Sequence, residues 1–114
     1  LNQNIQIYKT AYDQYRPYLS LKDAFKVFKF CIEKNIFKND TYNALSGNFT
    51  VRQIINFIKK YKKNVKTKFI KSKIMNQLSY FVDDNKIKKL GLNLKSDIKL
   101  DIKETLKIFN HLKK

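Results

Sequence analysis

The residues of this chain that are best suited to bind an anion are basic side chains in its middle. Residues 41 to 82 contain no Asp or Glu. Lysine ammonium groups can follow the phosphates of a nucleic-acid backbone, and aromatic or amide side chains add stacking and hydrogen bonds. The sequence therefore predicts a nucleic-acid-binding surface in a Lys-rich helical segment. Its predicted members are Arg52, Lys59, Lys60, Lys62, Lys63, Lys66, Lys68, Lys71, Lys73, Tyr61 and Asn64.

The overall charge points to the same kind of partner. Lys and Arg number 25 against 9 Asp and Glu, so the formal charge is +16, and an anionic partner would relieve the resulting self-repulsion. The arginines are only Arg16 and Arg52, which argues against fine sequence specificity. We expect RNA rather than DNA, and a basic constituent of a ribonucleoprotein particle fits this composition. The alternative is that the lysines are solvated charge, covering apolar surface and helix C-terminal carbonyls.

A second class of function is a protein–protein adaptor. Phe and Tyr are frequent between Tyr8 and Phe57, and helical hairpins can form an apolar groove that holds a partner helix. The positive charge would then suit an acidic partner. The alternative for these aromatic residues is the protein's own core. An anionic membrane surface ranks lower as a partner, because the apolar face of the basic helices is needed for that core.

Residue types that carry catalysis or bind metals are scarce. Cys31 is the only cysteine and His111 the only histidine, so neither an intramolecular disulfide nor a Cys/His zinc cluster is expected. Cys31 is predicted to be a buried structural thiol. No Gly-rich phosphate loop or Ser-His-acid arrangement is evident. The sequence predicts no catalytic residue, no metal, no cofactor and no enzymatic activity. The single cysteine and the lack of a long apolar run favour an intracellular protein.

The scarcity of turn residues predicts an all-α fold. The chain has two Gly and one Pro, and we expect one basic helical domain over 1–114, a bundle of five to seven helices built from helix–loop–helix hairpins. A hairpin repeat is predicted over 4–34 and 38–63, with a C-terminal helical part over 66–114. The expected helices are Asn4–Tyr15, Leu19–Lys34, Val51–Lys63, Thr67–Phe81, a short helix between Asp83 and Gly91, and Ile102–Leu112 packed on the first hairpin.

Three stretches share one pattern at the start of a predicted helix: LSLKDAFKVF, FTVRQIINFI and LDIKETLKIF. In each, Ser, Thr or Asp precedes an acid or amide by three residues, which is typical of a capping box. The caps are expected at Ser20, Thr50 and Asp101. Either a duplication of the hairpin or independent use of good helix caps explains the repetition.

Two stretches resemble known families. GNFTVRQI resembles the exit from an EF-hand loop, and YKTAYDQY resembles an entering helix. Tyr42 and Ala44 stand where calcium-binding carboxylates belong, so the resemblance implies a calcium-free, EF-hand-like adaptor. DAFKVFKFCIEKNIFKNDTYNAL resembles one pentatricopeptide unit running into the next.

Overall fold

The protein is a mixed α/β fold in a computed structural model that describes residues 4–36, 39–71 and 78–111. Within these residues the prediction of an all-α bundle of five to seven helices, built from helix–loop–helix hairpins, is wrong. The strands are β1 (Ile5–Tyr8), β2 (Tyr15–Tyr18), β3 (Gly47–Thr50) and β4 (Thr67–Ile70). The helices are α1 (Leu21–Glu33), α2 (Val51–Tyr61), α3 (Asn85–Lys88) and α4 (Ile98–His111), with a 3-10 helix at Lys9–Ala11.

The strands form two separate pairs. β1 and β4 run parallel, with Ile5 opposite Thr67, and β2 and β3 run antiparallel, with Tyr15 opposite Thr50. A parallel pair requires a long crossover connection, and here the connection contains β2, α1, β3 and α2. The β1–β4 pair therefore brings the N-terminal segment next to the predicted basic segment.

The helix predicted over Asn4–Tyr15 is absent because the apolar period there is two, not three or four. Ile7 is buried while both its neighbours in β1 are exposed, which is the pattern of a half-buried strand. Pro17, predicted to stop a helix, lies inside β2. A two-stranded sheet has only edge strands, and proline is tolerated there because its missing N–H can face away from the partner.

The helix predicted over Thr67–Phe81 is also wrong. Residues 67–70 form β4, and 78–84 contain no helix. Thr, Phe and Ile in β4 favour extended structure, but pairing with β1 decides the outcome. Residue 71 is not helical either, and residues 72–77, including Lys73, lie outside the described residues.

Two of the three predicted helix caps are confirmed. The Ser20 hydroxyl accepts the Asp23 backbone N–H at 3.2 Å, and Thr50 and Gln53 form a complete capping box. The third is wrong, since α4 begins earlier, at Ile98. There the Asp97 carboxylate accepts the Lys99 backbone N–H at 2.9 Å, which leaves Asp101 inside the helix.

The short helix predicted before Gly91 is confirmed as α3. Gly91 has a φ of +101°, a left-handed conformation that glycine adopts without steric cost. The chain then returns through Leu92 and Leu94, which form a buried cluster with Ile87 of α3. Further apolar side chains pack on this cluster: Val27, Phe30, Tyr42 and Ala44.

The molecule is a flat slab. Its principal extents are 45 × 39 × 19 Å and its radius of gyration is 16.7 Å, against about 13 Å for a compact domain of this length. A slab this thin holds few residues away from its surface, so many large apolar side chains stay exposed. Among the described residues, no helix is both long and apolar enough to cross a membrane.

Candidate functional site

Arg52 is positioned at the first turn of α2 by the segment that precedes β2. Its guanidinium forms an ion pair with the Asp13 carboxylate, with a nitrogen–oxygen distance of 2.5 Å, and lies 4.9 Å from the Tyr12 ring centroid. The Arg52 backbone N–H also donates to the Tyr12 carbonyl oxygen at 2.9 Å. The Arg52 side chain is 51% exposed and the Asp13 side chain 65%, so this ion pair contributes little to stability and an anionic ligand can compete for the guanidinium.

Arg16, on β2, lies over the other tyrosine of the site. Its guanidinium is 5.1 Å from the Tyr80 ring centroid and donates to the carbonyl oxygens of Tyr15 and Leu78 and to the Gln14 side chain. The Tyr15 backbone N–H donates to the Ser79 hydroxyl at 3.0 Å. These contacts hold residues 78–80 against β2 and fix the orientation of the Arg16 side chain.

The two arginines form one group, which we call the arginine–tyrosine cluster: Tyr12, Asp13, Arg16, Arg52 and Tyr80. Both guanidinium groups contact residues between Tyr12 and Arg16. An arginine stacked on an aromatic ring keeps its planar fork of donors in a fixed orientation. Arg52, which is half exposed, therefore presents a preorientated group of the kind that binds phosphate or carboxylate, whereas the donors of Arg16 are engaged by Tyr15, Leu78 and Gln14.

A ring contact joins the arginine–tyrosine cluster to the basic segment, defined as residues 59–71. The Tyr12 ring packs edge-on against the Phe69 ring of β4 at a centroid distance of 5.1 Å. The pairing of β1 with β4 holds the two parts of the chain side by side. β4, which carries Lys68, thus lies beside the Tyr12 ring that Arg52 contacts.

The structure brings most of the predicted nucleic-acid-binding residues together, in three consecutive elements. Arg52, Lys59, Lys60 and Tyr61 lie on α2, and Lys68 lies on β4. The loop between them and the position after β4 hold the others that are described: Lys62, Lys63, Asn64, Lys66 and Lys71.

The lysines of the loop and of β4 are exposed and have no acidic partner among the described residues. Lys59, on α2, differs from them because its ammonium group donates a hydrogen bond to the Thr67 hydroxyl at 3.4 Å. Tyr61 is exposed, and the Lys103 ammonium lies 5.7 Å from its ring centroid. Exposed cations without partners can bind an anion without first breaking an ion pair.

Arg16, Tyr12 and Tyr80 were not among the residues predicted to form a binding surface. The sequence did contain a signal for Arg16, since Arg16 and Arg52 are the only two arginines in a Lys-rich chain. Arginine at both positions indicates a need that lysine does not meet, such as stacking or bidentate contact. Tyr80 carries no such signal, because its contact depends on residues 78–80 folding back on β2.

A buried carboxylate, Asp23, holds the elements around the site together. Its side chain is inaccessible and accepts hydrogen bonds from Lys26, Ser46 and Ser96. Burial alone would raise the pKa of Asp23, but the hydrogen bonds from Ser96, Lys26 and Ser46 outweigh it and hold the pKa below its ordinary value. Asp23 was predicted only as a capping partner for Ser20, whose backbone N–H instead donates to the Ser46 hydroxyl at 3.0 Å.

Two other groups have shifted pKa values outside this network. The hydrogen bond from Lys86, with a second from the Thr41 backbone, holds the pKa of Asp40 below its ordinary value. Burial raises the pKa of Tyr18, although the positive charge of Arg16 acts to lower it.

The described residues contain no group of three or more His, Cys, Asp or Glu that could hold a metal ion. Cys31, predicted to be a buried thiol, is partly accessible. The chemistry that the described site supports is therefore the binding of an anion by arginine, lysine and tyrosine side chains.

Comparison with solved structures relates the fold to part of an enzyme. The chain superposes on the crystal structure of a GDP-6-OMe-4-keto-L-xylo-heptose reductase from C. jejuni, with a TM-score of 0.77 and 17% sequence identity. The match covers 96% of this chain and 34% of that one, so the chain spans about a third of the reductase's length. The likeness shows a shared α/β fold and agrees with the correction of the all-α prediction. No protein-family model matches the chain, and no curated protein matches it significantly.

Proposed function

We propose that this chain is the substrate-binding part of a reductase-like enzyme and that it binds the diphosphate of a nucleotide-linked sugar. The observation that carries the proposal is the arginine–tyrosine cluster next to lysines without acidic partners. The superposition on part of a reductase whose name contains GDP supports the choice of ligand class.

The chemistry of the cluster suits a diphosphate. Arginine can present two parallel N–H donors to phosphate oxygens, and a preorientated fork loses less side-chain entropy on binding than a mobile lysine. Lysines of the basic segment add charge without demanding a fixed geometry. Tyr12 and Tyr80 offer aromatic surface next to the guanidinium groups, although each ring is already covered on one side by an arginine.

The test is the binding of fluorescently labelled GDP, measured by anisotropy with the purified chain. We expect a dissociation constant below about 1 mM, weaker binding of GMP and weaker still of guanosine, because each phosphate removed takes away charge-assisted contacts. Arg52→Lys keeps the charge but loses the fork, and should weaken binding about tenfold. Lys29→Gln on α1 is the matched control and should leave binding unchanged.

The proposal fails if GDP, GMP and guanosine bind equally, since the phosphates would then make no contact. It fails equally if Lys29→Gln weakens binding as much as Arg52→Lys, because the effect would then be one of overall charge.

Nucleic-acid binding is a second candidate function, favoured by one specific observation. Lys62, Lys63, Lys66, Lys68 and Lys71 are exposed and have no acidic partner among the described residues. A polyanion that engaged all five of these cations would give a slope of about −3.5 to −4.5 in log affinity against log salt. The same assay with single-stranded RNA, duplex RNA and duplex DNA tests this. A triple change of Lys62, Lys63 and Lys66 to Glu should abolish such binding.

The adaptor alternative stays a prediction, and so does the prediction that the chain has no enzymatic activity. The fold occurs within an enzyme, which supports an enzyme-related role for the chain. A catalytic residue in the chain is not part of the proposal.

A further inference from the structure

We propose that Asp13 is a built-in competitor at the anion-binding site. Its carboxylate occupies the Arg52 guanidinium in the unliganded chain and leaves it when a phosphate-bearing ligand binds. Asp13 thereby determines which anions bind, since a ligand that displaces it must make further contacts beyond Arg52. This inference rests on the proposed function only in that an anion binds at Arg52, and it requires neither the base nor the sugar of a nucleotide.

The acidic partner of Arg52 comes from outside the acid-free stretch of the sequence. Residues 41–82 contain no Asp or Glu, and among the described residues of that stretch Arg52 is the one basic side chain in an ion pair. Asp13 lies 39 positions earlier, between the 3-10 helix and β2. The fold thus covers with an acid the one side chain of the stretch that can present two parallel N–H donors to a phosphate.

The contact occupies a donor that a phosphate would need. Both carboxylate oxygens of Asp13 lie next to Nη2 of Arg52, Oδ1 at 2.5 Å and Oδ2 at 2.6 Å. The Arg52 backbone N–H is engaged as well, since it donates to the Tyr12 carbonyl oxygen at 2.9 Å. A phosphate that binds the guanidinium at Nη2 must displace the carboxylate, because two anions on one cation repel each other at this distance.

The carboxylate can leave without disturbing the rest of the fold. Asp13 is exposed, and no other described residue donates a hydrogen bond to its side chain. Asp23 shows the opposite arrangement, in which a buried carboxylate accepts from three side chains. Arg52 keeps its orientation after Asp13 leaves, because its position on α2 and its contact with the Tyr12 ring, 4.9 Å from the centroid, do not involve Asp13.

The strength of this contact sets the size of the effect. An exposed ion pair of this kind lowers the affinity of a competing anion by up to about fivefold. A single phosphate at Arg52 replaces one ion pair by another and gains little. A diphosphate gains more, because its second phosphate brings charge and acceptor oxygens beyond those that Asp13 itself supplies.

The experiment compares the wild-type chain with Asp13→Asn, which keeps the shape of the side chain and removes its charge. The dissociation constants of inorganic diphosphate and of GDP are measured by NMR titration. We expect both ligands to bind about fivefold more tightly to Asp13→Asn. Glu33→Gln is the matched control, since it removes one negative charge and one exposed ion pair, with Lys29 at 3.7 Å, and should change either constant by less than about twofold.

Two further variants show whether the gain acts through Arg52. In an Arg52→Gln background, Asp13→Asn should change the affinity for diphosphate by less than about twofold, because no guanidinium is left to release. Asp13→Glu retains the charge and should bind diphosphate within about twofold of the wild-type affinity. In the wild-type chain, the carbon shift of the Asp13 carboxyl group should move on addition of diphosphate and stay unchanged on addition of guanosine.

Weaker binding of diphosphate by Asp13→Asn would overturn the proposal and make Asp13 a positioning residue for Arg52. An equal gain in Glu33→Gln, or an undiminished gain in the Arg52→Gln background, would overturn it as well, since the effect would then be one of overall charge. Tighter binding of diphosphate by Asp13→Asn, with GDP bound no more tightly than guanosine, would support the competitor and count against the proposed function. Phosphate-dependent GDP binding that Asp13→Asn leaves unchanged would support the proposed function and overturn this inference.

Discussion

The arginine–tyrosine cluster and the α1 apolar face differ in the kind of side chain that they expose. The α1 apolar face consists of Leu21, Phe25, Phe28 and Ile32. The arginines of the cluster are held in place by contacts within the chain, and the exposed lysines of the basic segment have no acidic partner among the described residues. The α1 apolar face has no charge to neutralise and no cover from water. The two regions therefore differ in chemistry, since one presents charged side chains to water and the other presents apolar ones.

The largest expected effect separates the two faces of α1 itself. Asp23→Ala leaves Lys26, Ser46 and Ser96 without their shared acceptor and should lower the free energy of unfolding by about 3 kcal/mol. Phe28→Ser, on the exposed face, should change it by less than about 0.5 kcal/mol in the isolated chain. Urea denaturation measures both. Equal losses would mean that the α1 apolar face is already packed within this chain.

The pH dependence of unfolding sharpens the same contrast. The pKa of Asp23 is lowered in the folded state, so its contribution is complete above the unfolded pKa of about 3.9 and is lost as the pH falls through the folded value. Stability should therefore fall in acid, below about pH 4. In Asp23→Ala this part of the dependence should disappear. An unchanged acid limb in the variant would assign the loss to other carboxylates.

A smaller effect is expected in the arginine–tyrosine cluster. Arg16→Lys removes stacking on Tyr80 and the forked contacts to Tyr15 and Leu78, and should weaken GDP binding about tenfold, which is about 1.4 kcal/mol. The same change should leave the exposure of the other region unaltered, measured as the rate at which a maleimide labels Phe28→Cys in a Cys31→Ser background of the isolated chain. If it altered both, the two surfaces would not be independent.

The smallest effect concerns a helix start that serves the site. Thr50→Ala removes half of the capping box that positions Arg52 at the first turn of α2, and should cost about 1 kcal/mol in unfolding free energy. GDP binding should weaken only slightly, since Tyr12 still holds the guanidinium. A loss of binding larger than that of Arg52→Lys would show that the cap, and not the guanidinium, controls the site.

The local features of the fold could be predicted from the sequence. Ser20 and Thr50 begin their helices because each hydroxyl accepts the backbone N–H three residues later, which is a short-range interaction. Gly91 ends the turn that follows α3, because glycine readily adopts a positive φ. The strands could not be predicted in this way. Each is four residues long, and β1 finds its partner about 60 residues later, so nothing near Ile5 in the sequence specifies the pairing.

The site was predictable only in part, for the same reason. A run of lysines without acids is visible in the sequence, and the structure gathers the described ones around α2 and β4. The position of Arg16 over Tyr80 depends on residues 78–80 returning to β2, which is a tertiary contact. Asp101 was predicted to be a helix N-cap because the residues around it match a capping-box pattern. The helix instead begins four residues earlier, where the Asp97 carboxylate accepts the Lys99 backbone N–H.

The most direct test of the account is to map GDP on the isotope-labelled chain by NMR. We predict that the largest backbone shift changes occur at residues 12–16, at Arg52 and at 78–80, and that they are smaller in the basic segment and absent from α1. Shift changes confined to residues 59–71 would place the anion on the lysines alone. Such a result, or no change at millimolar GDP, would contradict the assignment of the arginine–tyrosine cluster as a diphosphate-binding site.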